Sequence, residues 1–114
     1  GLNVFKINPQ VASSAKLHSI SMAYWEYLDY NNRYDLTPFE RLQNKGIDYV
    51  MASENIACGA NLKEIYTAWM DSAGCRSNLF SEYMDYAGIG MATTDSGSSA
   101  YVTLDLVQLR EYIQ

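Results

Sequence analysis

Residues 87–107 read AGIGMATTDSGSSAYVTLDLV, and this stretch decides the class of fold. Ala87–Thr94 and Ala100–Val107 flank Asp95-Ser96-Gly97-Ser98-Ser99, a run made wholly of turn-forming residues. That pattern predicts a β-hairpin. In its second arm Val102, Leu104 and Leu106 alternate with Tyr101, Thr103 and Asp105, the period of a strand with one buried face. Upstream, Tyr49 to Cys58 has no helical period and reads as a further strand.

Three helices are read before the hairpin. Asn8-Pro9 is an N-cap followed by proline at the first helical position. Beyond it Val11, Ala15, His18, Met22 and Trp25 recur at spacings of four and three, and a second stripe, Leu17-Ile20-Tyr24-Leu28, flanks the first. Together they predict a helix buried over a wide face and ending near Asn31-Asn32. Thr37-Pro38-Phe39-Glu40 is a capping box that starts a short helix from Pro38 to Lys45, with Gly46 as its stop. Asn61-Leu62-Lys63-Glu64 starts another, carrying Leu62, Ile65 and Trp69 inward and ending before Gly74. Helices first and a hairpin last give an α+β fold, with helices packed on an antiparallel sheet.

The chain of 114 residues is the size of one domain, and its 48% hydrophobic and 18% charged residues suit a globular core. Thirteen acidic against eight basic side chains leave a net charge of -5. With no Lys/Arg cluster, such a chain repels phosphate backbones and anionic membrane surfaces. No apolar stretch reaches the ~18 residues of a bilayer span. The opening Gly1-Leu2 lacks an initiator Met and reads as trimmed, so the absence of a signal peptide carries no weight. A single His excludes zinc sites built on two imidazoles, and any Ser-His-Asp or Cys-His machinery would have to use His18.

Several segments, in order, resemble the CAP superfamily of cysteine-rich secretory, antigen 5 and pathogenesis-related proteins, and within it the bacterial SCP-like branch. Ser53-Glu54-Asn55-Ile56-Ala57-Cys58-Gly59 is similar to the family's G-E-N-I-A-x-G strand, and Ala68-Trp69-Met70-Asp71-Ser72-Ala73-Gly74-Cys75-Arg76-Ser77-Asn78-Leu79 to A-W-M-N-S-P-G-H-R-x-N-I. Tyr86 to Ala92 is similar to V-G-V-G-x-A, and Tyr101 to Leu106 to Y-W-T-Q-D-F. Thr37 to Leu42 matches s-P-F-D-R-L, and Asn8 to Ala23 matches the helix preceding it. The resemblance covers almost the whole chain. It implies one SCP-like domain over 1–114, a CAP-type α-β-α sandwich, and a secreted or cell-surface location. The family usually carries a helix before the residues aligned with Gly1-Leu2. Without that helix an apolar face is exposed, which invites self-association.

The family's cavity is lined by two histidines and one or two glutamates and can hold a divalent metal. Here Glu54 keeps the glutamate position, whereas Cys75 replaces the histidine of G-H-R, and the other histidine position falls at Tyr30, Asn31 or Asn32. The resemblance therefore implies a degenerate site with no metal or other cofactor. Glu54 is a candidate general base or ligand, set against the plainer reading of a carboxylate bonded to nearby backbone and hydroxyls. Cys75 is open to three readings: a nucleophile, a metal ligand, or half of a disulfide with Cys58; the disulfide is the one expected, with two free buried thiols as the plainer alternative. That bridge would close a loop of about sixteen residues and contribute about 3 kcal/mol. His18, in an apolar stripe, reads as a core histidine at the cavity's edge. Tyr24, Tyr27, Tyr30 and Tyr34 crowd one region, as half-buried packing or as a contact surface. The function expected is binding of an extracellular glycan, peptide or lipid. The alternative is a protease-like hydrolase using Glu54 with Cys75 or a bound metal.

Overall fold

The computed structural model describes residues 5–110. Its central element is β4 (Ala100–Leu109), flanked by β3 (Tyr86–Thr93) on one side and β2 (Tyr49–Gly59) on the other, both antiparallel to it. A short β1 (Lys6–Ile7) adds to β3 in parallel, giving a four-stranded sheet ordered β1-β3-β4-β2. The hairpin expected at 87–107 is present. The sheet departs from the expected antiparallel form only through β1, which two residues of pattern could not announce.

Among the described residues four helices cover the sheet: α1 (Pro9–Trp25), α2 (Pro38–Asn44), α3 (Leu62–Asp71) and α4 (Ala73–Leu79). On one face of β4, Val102, Leu104 and Leu106 pack with Ile65 and Trp69 of α3. On the other, Tyr101 meets Met22 of α1, and Val107 meets Val11 of α1 and Leu42 of α2. The result is an α-β-α sandwich with β4 buried on both faces, where alternation had predicted one.

The helix caps follow the sequence. Asn8 Oδ1 accepts from the Gln10 and Val11 N–H groups, and Thr37 and Glu40 bond each other's backbone in a complete capping box. α1 stops at Trp25, well before Asn31, because Glu26 turns left-handed at φ 52° and its N–H closes on the Met22 carbonyl. Its second stripe is not buried: Leu17, Ile20 and Tyr24 face solvent, Tyr24 by 71%. Leu62 is likewise exposed, while Ile65 and Trp69 point inward as expected. The helix beginning at Asn61 breaks at Ser72, whose side chain caps α4 by accepting from the Cys75 N–H.

The close seat of α1 on β3 depends on two glycines. A Cβ on Gly88 would fall inside the backbone of Val11 and Ala12, and one on Gly90 inside that of Ala15 and Lys16. Ser19 fastens the same contact by bonding the Gly90 carbonyl and the Thr103 hydroxyl, each at 2.8 Å.

Candidate functional site

The pairing of the strands fixes which groups meet. Asn8 N–H donates to the Ala87 carbonyl, so Ala87 faces β1 and Gly88 faces β4. Asp105, opposite Gly88, therefore turns its backbone to β3 and forms a non-hydrogen-bonded pair with Glu54 of β2. Such pairs bring side chains closest together, here two carboxyls on the α1 face of the sheet.

Arg41 of α2 reaches over them. Its Nη2 donates to Glu54 Oε1 at 2.7 Å, to Oε2 at 2.9 Å and to the Tyr30 carbonyl at 2.7 Å. The pair is buried, with the Glu54 side chain only 1% exposed. Asp105 is fully buried, and neither of its oxygens has a partner with hydrogen-bond geometry among the described residues. Burial, and then the Glu54 carboxylate, push its carboxyl well above the usual range, which favours the protonated acid beside the Arg41-bound Glu54.

His18 lies on the same face, almost wholly buried, with Nε2 2.7 Å from the Asp29 carbonyl. An imidazole bonded to a carbonyl donates, which places its proton on Nε2 and leaves Nδ1 an acceptor. Burial, then the Arg41 charge, lower its pKa and keep it neutral. It has no hydrogen bond to Glu54 or Cys75.

Cys75 stands on the opposite side of the sheet, packed against the α3 cluster of Ile65 and Trp69. Cys58 shares the α1 face with Glu54, at the exposed end of β2 opposite Tyr101. The expected bridge between them is therefore not formed, and both thiols are free. Cys58 does share Glu54's face, as the spacing of four requires, but Cys75 approaches from the other layer. Its neighbour is Tyr30, whose hydroxyl lies 4.0 Å from the sulfur. Burial and that sulfur push the Tyr30 hydroxyl up to about 12.

Around the β2 edge these residues frame a cleft of about 390 Å³, with Tyr30, Asn31, Pro38 and Phe39 on one wall, Asn78 on the other, and Ala52, Ser53 and Glu54 along the strand. Asn55 sets the second wall: its Nδ2 donates to the Cys75 carbonyl at 3.0 Å, and its Oδ1 accepts from Asn78 Nδ2 at 2.7 Å. Tyr34 stands exposed, and Tyr24 stacks edge-on against Trp25 beside the β3–β4 turn, so the four tyrosines form no single surface. Arg41, Asp105, Asn55 and Asn78 lie in the matched segments but carry no site role in the reading of the sequence. Arg41 and Asp105 had one signal each: a cation in the first helical turns after a capping box, and the one charged residue of the last strand.

Among the described residues no group of three His, Cys, Asp or Glu is placed to hold a metal, and no helix is long and apolar enough to cross a membrane. Fold and cleft together define an SCP-type domain. The chain belongs to the CAP family of cysteine-rich secretory proteins, which it matches over residues 1–106. It is 33% identical over 99 residues to the uncharacterized protein YkwD of Bacillus subtilis (strain 168), across 86% of this chain and 38% of that protein. It thus spans well under half of that relative's length. Among solved structures it is similar to an extracellular SCP-domain protein of Bacillus anthracis str. Ames, with a TM-score of 0.77 at 26% identity, covering 94% of this chain and 34% of that one. It also shares its fold with an outer surface protein of Borrelia burgdorferi, with a TM-score of 0.86 at 18% identity, covering 96% and 80% of the two chains.

Proposed function

We propose that this domain is a secreted or surface-displayed binding module that takes an extended peptide along the edge of β2, and that it does not turn a substrate over. The observation that carries this reading is the direction of the strand's main-chain groups. Ser53, Asn55 and Ala57 face β4, so the N–H and C=O groups of Ala52, Glu54 and Ile56 point away from the sheet. Trp69 Nε1 donates to the Ile56 carbonyl and closes the edge there. Ala52 and Glu54 open onto the cleft, two residues apart, as an added strand requires. The Ser53 hydroxyl beside them is buried with no partner among the described residues, and Tyr30 and Phe39 offer rings for a peptide's side chains.

Chemistry at Glu54 is disfavoured by the same geometry. Both carboxylate oxygens are bonded to Arg41 and shielded from solvent, so abstracting a proton there would first require breaking a buried ion pair. The extracellular relatives support the location.

The test is to pan a random peptide library on phage against the domain, with Ala52→Pro as the counter-target. Proline at 52 removes an outward N–H and no ladder bond, so the fold is retained. Peptides that bind the native domain should lose at least about tenfold in affinity on Ala52→Pro, the scale of a lost hydrogen bond with its partner left unsatisfied. Equal binding to both would refute the edge-strand reading.

A further inference from the structure

A second cavity lies on the far side of Arg41, between α1 and α2. It measures about 250 Å³, just under the ~300–1,000 Å³ of drug-sized ligand pockets, and its lining includes Leu17, His18, Asn32, Arg41, Asn44 and Lys45. None of the β2-edge residues lines it; Arg41 does, and it bonds Glu54 and the Tyr30 carbonyl of the first cleft.

Two buried side chains of this wall have unspent hydrogen-bonding capacity. Arg41 uses Nη2 for Glu54 and Tyr30, while Nε and Nη1 have no partner among the described residues. His18 uses Nε2 for the Asp29 carbonyl, while Nδ1 has none. Arg41 is 8% and His18 1% exposed, so bulk water does not satisfy them, and a ligand in the cavity engages these atoms by turning the two side chains toward it. Buried donors and acceptors without partners are costly, and a cavity beside them is where their partner belongs.

The chemistry of that partner follows from the wall. Arg41 offers donors only, and its charge is balanced by Glu54. Lys45 adds a cation that no carboxylate pairs among the described residues, so the cavity favours a monoanion. Neutral His18 offers a lone pair at Nδ1, which repels a carboxylate but accepts from a hydroxyl or amide N–H. Asn32 and Asn44 can serve either kind of group, and Leu17 supplies an apolar side for a short carbon chain.

We infer that this cavity is a binding site for a small hydroxy- or amido-carboxylate, with the carboxylate held by Arg41 and Lys45 and the hydroxyl or N–H donated to His18 Nδ1.

Lactate is the probe, with lactamide as its uncharged counterpart and propionate as the acid lacking the hydroxyl, each titrated at constant ionic strength. NMR shifts of the His18 ring and of the Leu17 and Lys45 amides report occupancy. The expected result is a saturable response to lactate with half-saturation below ~10 mM, weaker saturation by propionate and none by lactamide. Lys45→Gln, which keeps most of the side chain's length and removes its charge, should weaken lactate by about threefold, the scale of one partly exposed ion pair. Lactate shifts that never saturate, equal binding of lactamide or propionate, or indifference to Lys45→Gln would overturn the assignment and leave a cavity filled by water alone.

Discussion

Arg41 is the residue on which the α1 face of the molecule turns. It compensates Glu54 next to Asp105, so removing it leaves a buried carboxylate with no counter-ion. Arg41→Met should cost about 3–5 kcal/mol, read from chemical denaturation. Asp105 and His18 oppose each other in pH. The folded pKa of Asp105 is raised, so its contribution to stability is fully present below the unfolded value of ~3.9 and is lost as pH rises through the folded value. That of His18 is lowered, so its contribution is present above ~6.5 and is lost as pH falls through the folded value. Asp105→Asn cannot ionise in either state. Its melting temperature should exceed the native one by little at pH 4 and by a growing margin toward pH 8. A margin that does not widen with pH would mean that Asp105 is ionised in the fold. Little of this was legible in the sequence. Glu54 stood out by its motif, but the charge that neutralises it comes from a helix thirteen positions earlier, and only strand register brings Asp105 opposite.

Among the elements, the hairpin and the three capped helix starts could be read directly, because turn chemistry and capping are local. What failed was burial. The Leu17-Ile20-Tyr24 stripe has the period of a core face yet lies outward, since α1 rests on β3 through the other stripe. β1 and α4 were missed because two strand residues and a seven-residue helix are too short to show a period. The expected disulfide failed for a related reason: spacing tells which face of β2 carries Cys58, but not which layer delivers Cys75. The α1–β3 contact makes its own prediction. Gly88→Ala must push α1 off the sheet, and it should cost at least ~3 kcal/mol in denaturant titrations, while Gly46→Ala, with open space around its Cβ position, is penalised only for its φ of 75°.

For the whole molecule, among the described residues, the α-β-α sandwich leaves β2 as an edge of the sheet and sets α2 and α4 on either side of it. Native sheets protect such edges by twisting, charging or covering them. Here Trp69 covers only the Ile56 end, and the stretch at Ala52–Glu54 is walled but open. We take this opening as the working surface of the domain. Its most direct test is residue-resolved amide exchange with a library-selected peptide bound. An added strand should slow exchange at the Ala52 and Glu54 amides and leave Ser53 and Asn55, already bonded to β4, unchanged. Protection that ignores this alternation, or that appears instead at Tyr24 and Trp25, would contradict the edge-strand account.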